Sequence, residues 1–197
     1  MTSADLKSDL RVYLQGARDV MLWKLDGLSE YDGRRPLTPT GTNLLGMIKH
    51  LSKWEFRYLG DTFGRPSDDT PPWCHDDETP GADMWATAGE SRELIAGWYR
   101  RAWAHADGTL DALDLDAIGR VPWWGEYGTV TLGRILVHMT AETQRHAGHA
   151  DILRELTDGV AGFLPGTDRA APGDEAARLA LRDQIEQAAQ TAQKQSL

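Results

Sequence analysis

Glu142 and His146 stand four residues apart, in a stretch whose apolar residues recur every three or four positions. Written in alternating steps of three and four, its seam is Leu132, Ile135, Met139, Glu142, His146, His149, Leu153 and Leu156. A carboxylate and two imidazoles therefore occupy core-facing positions where leucine is expected. Burying an uncompensated carboxylate is costly, so such groups are paired or coordinated. Side chains at i and i+4 project from one face of a helix, and Glu142 with His146 can chelate one metal ion. His50, beside the apolar stripe of an earlier helical segment, is the best candidate for a third ligand. Two imidazoles and one carboxylate suit Zn²⁺, Ni²⁺ or Fe²⁺ and leave room for water or substrate. Such an ion lowers the pKa of a bound water or thiol and makes a nucleophile near neutral pH. The residues alone leave a second reading open, a buried Glu–His hydrogen-bond network without metal.

The elements that must position these groups are helical. The spacing predicts a first helix from about Ala4 to Leu28 with Ser3 as N-cap, ended by Asp32-Gly33 and the prolines beyond it. A second runs from Asn43 to about Gly60 on the stripe Leu44, Met47, Leu51, Trp54, Tyr58. A long Pro-, Asp- and Gly-rich loop from Asp61 to Pro80 follows, of a length that tends to be functional. A third helix starts at Ala82 or Thr87 and reaches about Ala112; a fourth starts after Thr129 or Thr131 and ends at about Leu156. A loop holding Pro165, Gly166, Pro172 and Gly173 leads to a last helix, Glu175 to about Gln193, with little apolar stripe. No strand is expected. The fold class is all-α, a four-helix bundle over residues 1–158 with a C-terminal helical extension over 159–197 as an appendage of the same domain.

Composition narrows the partners. The chain has 197 residues, 30 acidic against 21 basic, a net charge of −9, and no Lys/Arg stripe, so nucleic acid is not expected. No apolar run is long enough for a membrane span, and the N-terminus has no secretory pattern. The lone cysteine, Cys74, has no internal disulfide partner, and the expected setting is cytoplasmic. Eight tryptophans are the unusual count. Trp54, Trp98, Trp123 and Trp124 are candidates to wall a cavity above the metal; Trp123 and Trp124, in a loop, would serve as a lid or a dimer contact.

Other residues carry weaker signals. His149 is either a substrate contact, a partner behind the ligands, or a hydrogen-bonded core histidine. Arg145 could pair a substrate carboxylate or form a surface ion pair, and His138, one position off the seam, reads as structural. Cys74-His75-Asp76-Asp77-Glu78 has no partner cluster and Cys74 no base, so neither a second metal nor a cysteine nucleophile is expected. The acidic runs Asp68-Asp69 and Asp76-Asp77-Glu78 read as a solvated loop face.

Two strings, Thr38 to Leu51 and His138 to Glu155, resemble the DinB/YfiT-like superfamily, most closely its branch related to mycothiol-dependent maleylpyruvate isomerase and mycothiol S-transferases. Arg145-His-Ala-Gly-His-Ala-Asp-Ile-Leu-Arg-Glu155 is the specific part, and the likeness covers roughly residues 5 to 157. The resemblance implies a four-helix bundle with a divalent metal, zinc or nickel, held by His50, Glu142 and His146. It also implies a low-molecular-weight thiol such as mycothiol as cosubstrate, a small electrophile as second substrate, and a homodimer. The isomerase has a further C-terminal domain; roughly forty residues follow the fourth helix here, so maleylpyruvate isomerisation is not expected. The expected function is a metal-dependent thiol S-transferase. The alternatives are a hydrolase using metal-activated water and a non-catalytic, metal-stabilised binding or stress-response protein.

Overall fold

The computed structural model describes residues 3–166 and 174–195, with side chains from residue 5 onward, so the expected Ser3 cap and the loop residues Pro172 and Gly173 lie outside the described residues. The chain divides into two compact units, Met1–Val160 and Ala161–Leu197. The first is an all-α bundle of four long helices: α1 (Ser3–Trp23), α3 (Leu44–Leu59), α4 (Arg92–Ala112) and α5 (Leu132–Asp158), with a short α2 (Glu30–Arg34) after α1. α3 packs against α4 and α5, and α1 against α5. The second unit contains α6 (Glu175–Gln195), none of whose residues is buried.

Caps explain where the helices begin. Asn43 Oδ1 accepts from Gly46 N at 2.8 Å, Ser91 Oγ from Leu94 N at 3.1 Å, and Thr131 Oγ1 from Arg134 N at 3.2 Å. Each satisfies a backbone donor that the first turn leaves without a helical partner. α4 therefore starts at Arg92, later than expected, because residues 82–90 are spent in turns. α1 stops at Trp23, short of Leu28. The Val20, Leu22 and Trp23 carbonyls accept from the Lys24, Leu25 and Asp26 N–H groups of the turn, and arginines take the carbonyls beyond the helix: Arg154 Nη1 donates to Lys24 O at 3.0 Å, and Arg92 Nη1 and Nη2 donate to the Leu25 and Leu28 carbonyls. Leu25 and Leu28 still reach the core through the turn. Asp32-Gly33, read as a breaker, lies inside α2, whose cap Ser29 accepts from Asp32 N at 3.0 Å.

Two short strands overturn the expectation of none. β1 (Ile118–Arg120) pairs antiparallel with β2 (Thr129–Thr131), Gly119 opposite Val130. Three residues each are too few for an alternating pattern to show. The pair pins the ends of the Pro122–Gly128 turn, which carries Trp123 and Trp124 to the bundle.

The seam of α5 also differs from expectation. Its buried positions continue from Met139 to Thr143, Ala147, Ala150 and Arg154, while His149 and Leu156 are exposed and Glu142 is half-buried. A 3.5-residue seam drifts by about 20° per heptad around a straight helix of 3.6 residues per turn. The drift carries its members Glu142, His149 and Leu156 off the core, while His146 and Leu153 stay buried.

At the centre of the bundle lies a buried ion pair. Arg18 on α1 donates from Nε and Nη2 to the two oxygens of Glu55 on α3, at 2.7 and 2.6 Å, with both side chains at most 2% exposed. Its Nη1 adds Asp107 on α4 at 3.1 Å. A buried bidentate pair ties three helices in register, and losing one partner strands the other charge. Glu55→Ala is expected to lower stability by about 3–5 kcal/mol. The double variant Arg18→Met/Glu55→Leu should lose less, measured by urea denaturation with unchanged helical circular dichroism in native buffer.

Candidate metal centre

α3 and α5 pack so that His50 faces Glu142 and His146. The three offer ligand atoms that all lie within 4.8 Å of one another. Glu142 Oε1 is 3.1 Å from His146 Nε2 and 3.5 Å from His50 Nε2, and the two imidazole centroids are 5.1 Å apart. One carboxylate oxygen thus stands before two ring nitrogens. A pocket of about 240 Å³, lined by His50, Trp54, Tyr58, His138 and Glu142, opens beside them.

A fourth side chain, absent from the sequence reading, completes the geometry. Asp83, in the turn Gly81–Met84, places Oδ2 2.7 Å from His50 Nδ1. Burial opposes the Asp83 charge, but the His50 hydrogen bond outweighs it and holds the carboxyl below its usual range. An ionised carboxylate only accepts, so Nδ1 carries the proton and Nε2 is the nitrogen turned toward Glu142. Trp54 Nε1 also lies 3.1 Å from the same Nδ1. A protonated Nδ1 cannot accept, so with the proton there the indole N–H makes only a close contact with the ring.

The charges are mutually adjusted. Burial works against a charge on His50, yet Asp83 and Glu142 outweigh it and raise its pKa. The His50 hydrogen bond, against the pull of burial and with help from His146, holds Glu142 down at about 2. His146 moves the other way: burial and the nearby His50 charge outweigh Glu142 and lower its pKa. Its Nδ1 is buried without a hydrogen-bond partner in the described residues, so its bonding is concentrated at Nε2.

Of the remaining sequence candidates, some meet at the pocket and others do not. Trp54 lines it, and Trp123 packs tilted against Trp54 at 5.5 Å and donates from Nε1 to Tyr58 Oη at 3.2 Å. Trp124 packs on Tyr58 and on His138, at 5.6 and 5.1 Å. His138, read as structural, is a pocket wall residue, and burial lowers its pKa. Trp98 lies elsewhere, with Phe56, Trp73 and Cys74. Arg145 and His149 are exposed, His149 edge-on to His146 at 5.7 Å. Cys74 is buried, and burial pushes its thiol up to about 12, which agrees with an inert role.

Asp68, Asp69, Asp77 and Glu78 are exposed, as expected of a solvated loop face, but part of that face is also tied to α3. Asp77 is bonded by Lys53 Nζ at 3.2 Å and Arg57 Nη1 at 2.5 Å, and Lys53 also donates to Asp76 O at 3.0 Å. Lys49 holds Glu90 and the Trp85 carbonyl, each at 3.0 Å. The loop lies strapped along one side of α3. Isolated acids in a loop carry no sign of this, because their partners are set by tertiary packing.

Two imidazole nitrogens and one carboxylate oxygen that converge beside an open pocket fit a divalent cation with a free coordination position. Among the described residues no other group of three such ligands comes together, and no helix is long and apolar enough to cross a membrane. No curated protein matches the chain. The mycothiol S-transferase family model matches residues 9–159, which run from α1 past the end of α5 and include His50, Glu142 and His146. The chain belongs to the mycothiol S-transferase family, within the DinB/YfiT-like superfamily.

Proposed function

We propose that the protein is a divalent-metal-dependent S-transferase that joins the sulfur of mycothiol to a small electrophile. The observation that carries this reading is the convergence of His50, Glu142 and His146 at an aromatic pocket, in a chain of this family. His50 through Nε2, Glu142 through Oε1 and His146 are the residues that would hold the cation. Zinc is the proposed metal and nickel the second choice, since both accept this donor set with a position to spare. The bound cation would supply Lewis-acid stabilisation of a thiolate near neutral pH.

The chain's own side chains do the rest. Glu142 stays ionised throughout the neutral range and neutralises part of the cation's charge. Asp83 keeps the His50 Nδ1 protonated, which leaves the Nε2 lone pair for coordination. Trp54, Tyr58, Trp123 and Trp124 present aromatic surface that excludes water and takes an apolar electrophile of modest size. His138 makes no hydrogen bond to the described residues, and neutral at pH 7 it offers the pocket both a donor and an acceptor. The setting proposed is the cytoplasm, where Cys74 remains a reduced, buried thiol.

Purified protein grown with zinc should contain near-stoichiometric metal by elemental analysis, and His50→Ala and Glu142→Ala should lose it. With mycothiol and a panel of electrophiles, conjugation should need the metal and vanish in His50→Ala; equal turnover in that variant would overturn the reading. Trp123→Ala should raise KM for the electrophile several-fold and leave the metal content unchanged. Zinc has to replace a proton on His50, whose pKa is raised above 6.5. Zinc affinity should therefore fall as pH drops through that raised value, beginning on the alkaline side of 6.5. Competition titrations across pH check the slope, and a profile flat down to pH 6 would contradict it.

A further inference from the structure

Asp83 stands 33 positions from His50, in a turn with no regular secondary structure, yet its carboxylate meets Nδ1 at 2.7 Å. Something other than local geometry has to hold it there. One side of α3 supplies that support. A Cβ at Gly46 would lie 1.9 Å from the Met84 carbonyl oxygen and 2.6 Å from its carbon, so only glycine lets the turn come this close. Asn43, besides capping the helix, donates from Nδ2 to the same carbonyl at 3.2 Å. Lys49 binds Trp85 O at 3.0 Å on the far side of the turn. Met84 and Trp85 are thus fixed by three residues spaced three apart on α3, and Asp83 is delivered to His50, four residues after Gly46.

We propose that Asp83 is the positioning residue of His50, and that the Asn43–Gly46–Lys49 side of α3 is the seat that makes the 75–90 strap a working part of the metal centre. The inference rests on the metal-binding reading above. Asp83 touches neither substrate nor the proposed cation; it sets the tautomer and the ring orientation of a residue that does. An imidazole free to rotate would lose that orientation, and an Nε2–H tautomer would point a proton where the lone pair is needed. His146 offers the contrast, because its Nδ1 has no partner in the described residues. The centre therefore has one imidazole hydrogen-bonded from behind and one whose only hydrogen bond among the described residues is to Glu142 on its own helix.

Two measurements on the full-length chain test this. The first uses metal-free protein at alkaline pH, with His50 assigned by ¹⁵N–¹H correlation. Wild type should show the Nδ1–H tautomer; Asp83→Ala should shift it toward Nε2–H. The second is zinc affinity by competition with a chromophoric chelator. Asp83→Ala should weaken it by about 10–100-fold, and Asp83→Asn, which keeps an acceptor without its charge, should fall between. Gly46→Ala alters no atom of the proposed ligands and favours the helix itself, yet should weaken zinc by displacing Met84. That variant and Asp83→Asn serve if Asp83→Ala fails to fold by circular dichroism. An Nε2–H tautomer in wild type, or zinc affinity unchanged within twofold in the Asp83 variants, overturns the proposal. Zinc binding that depends on Asp83 without mycothiol conjugation would sink the transferase reading alone. If wild type took up no zinc, the tautomer would still decide the role of Asp83.

Discussion

A single oxygen, Glu142 Oε1, sits between His146 Nε2 and His50 Nε2, and the rest of the first unit is arranged to keep it there. A half-buried carboxylate is tolerable only while positive or polarised partners stay close. One partner comes at no tertiary cost, since His146 is one turn along the same helix. The other belongs to α3, so the register of α3 against α5 is an electrostatic requirement as well as a packing one. Apolar burial along α3, with Leu44, Ile48, Leu51 and Leu59 all at most 1% exposed, holds the helix down; it does not specify rotation. The polar contacts do.

α3 does three separate jobs around its circumference. Glu55 reaches Arg18 and ties the helix to α1 and α4 through the buried pair. His50, Trp54 and Tyr58, four apart each, line the pocket. Asn43, Gly46, Lys49, Lys53 and Arg57 grip the strap. Rotating the helix to favour one face would spoil the other two, which is why so many polar residues are buried on it. Surface ion pairs contribute little on their own. Lys49 and Lys53 are different, being almost wholly buried and therefore obliged to find acceptors.

Much of this was legible in the sequence, and the parts that were not share a cause. The i, i+4 pair Glu142–His146 and the nearby stripe of α3 suffice to nominate three residues, because helical periodicity is local information. The same periodicity misled where a 3.5-residue seam was carried too far: His149 and Leu156 were expected on the core side and lie on the surface. The starts of α3 and α5 were readable to within a few residues, at Asn43 and after Thr129 or Thr131, where short polar side chains precede an apolar run. The early stop of α1 was not, since it depends on Arg92 and Arg154 arriving from 64 or more residues away. Asp83 was missed for the same reason. An aspartate between the long loop and the third helix looks like any other aspartate there, and what distinguishes it is the glycine on α3 that admits its neighbour. Gly46 gave no sign either, since Gly16, Gly97, Gly108 and Gly148 also stand in helices with open space around them.

Arg57 shows how the strap and the pocket share a foundation. Its guanidinium bonds Asp77 in the strap and lies 4.3 Å above the Trp123 ring and 5.6 Å from Trp54. Trp123 in turn donates to Tyr58, and Trp54 borders His50. A cation over an aromatic face is attracted most when desolvated, and Arg57 is largely covered. The chain of contacts Asp77–Arg57–Trp123–Tyr58 therefore runs from the strap to the pocket mouth, while Asp83–His50 runs from the strap to the proposed metal ligands. Both routes pass through α3, so whatever steadies the strap steadies the ligand and the wall of the pocket together. The end of the long loop, whose acidic runs face solvent, and the turn after it together steady both the proposed metal centre and its pocket.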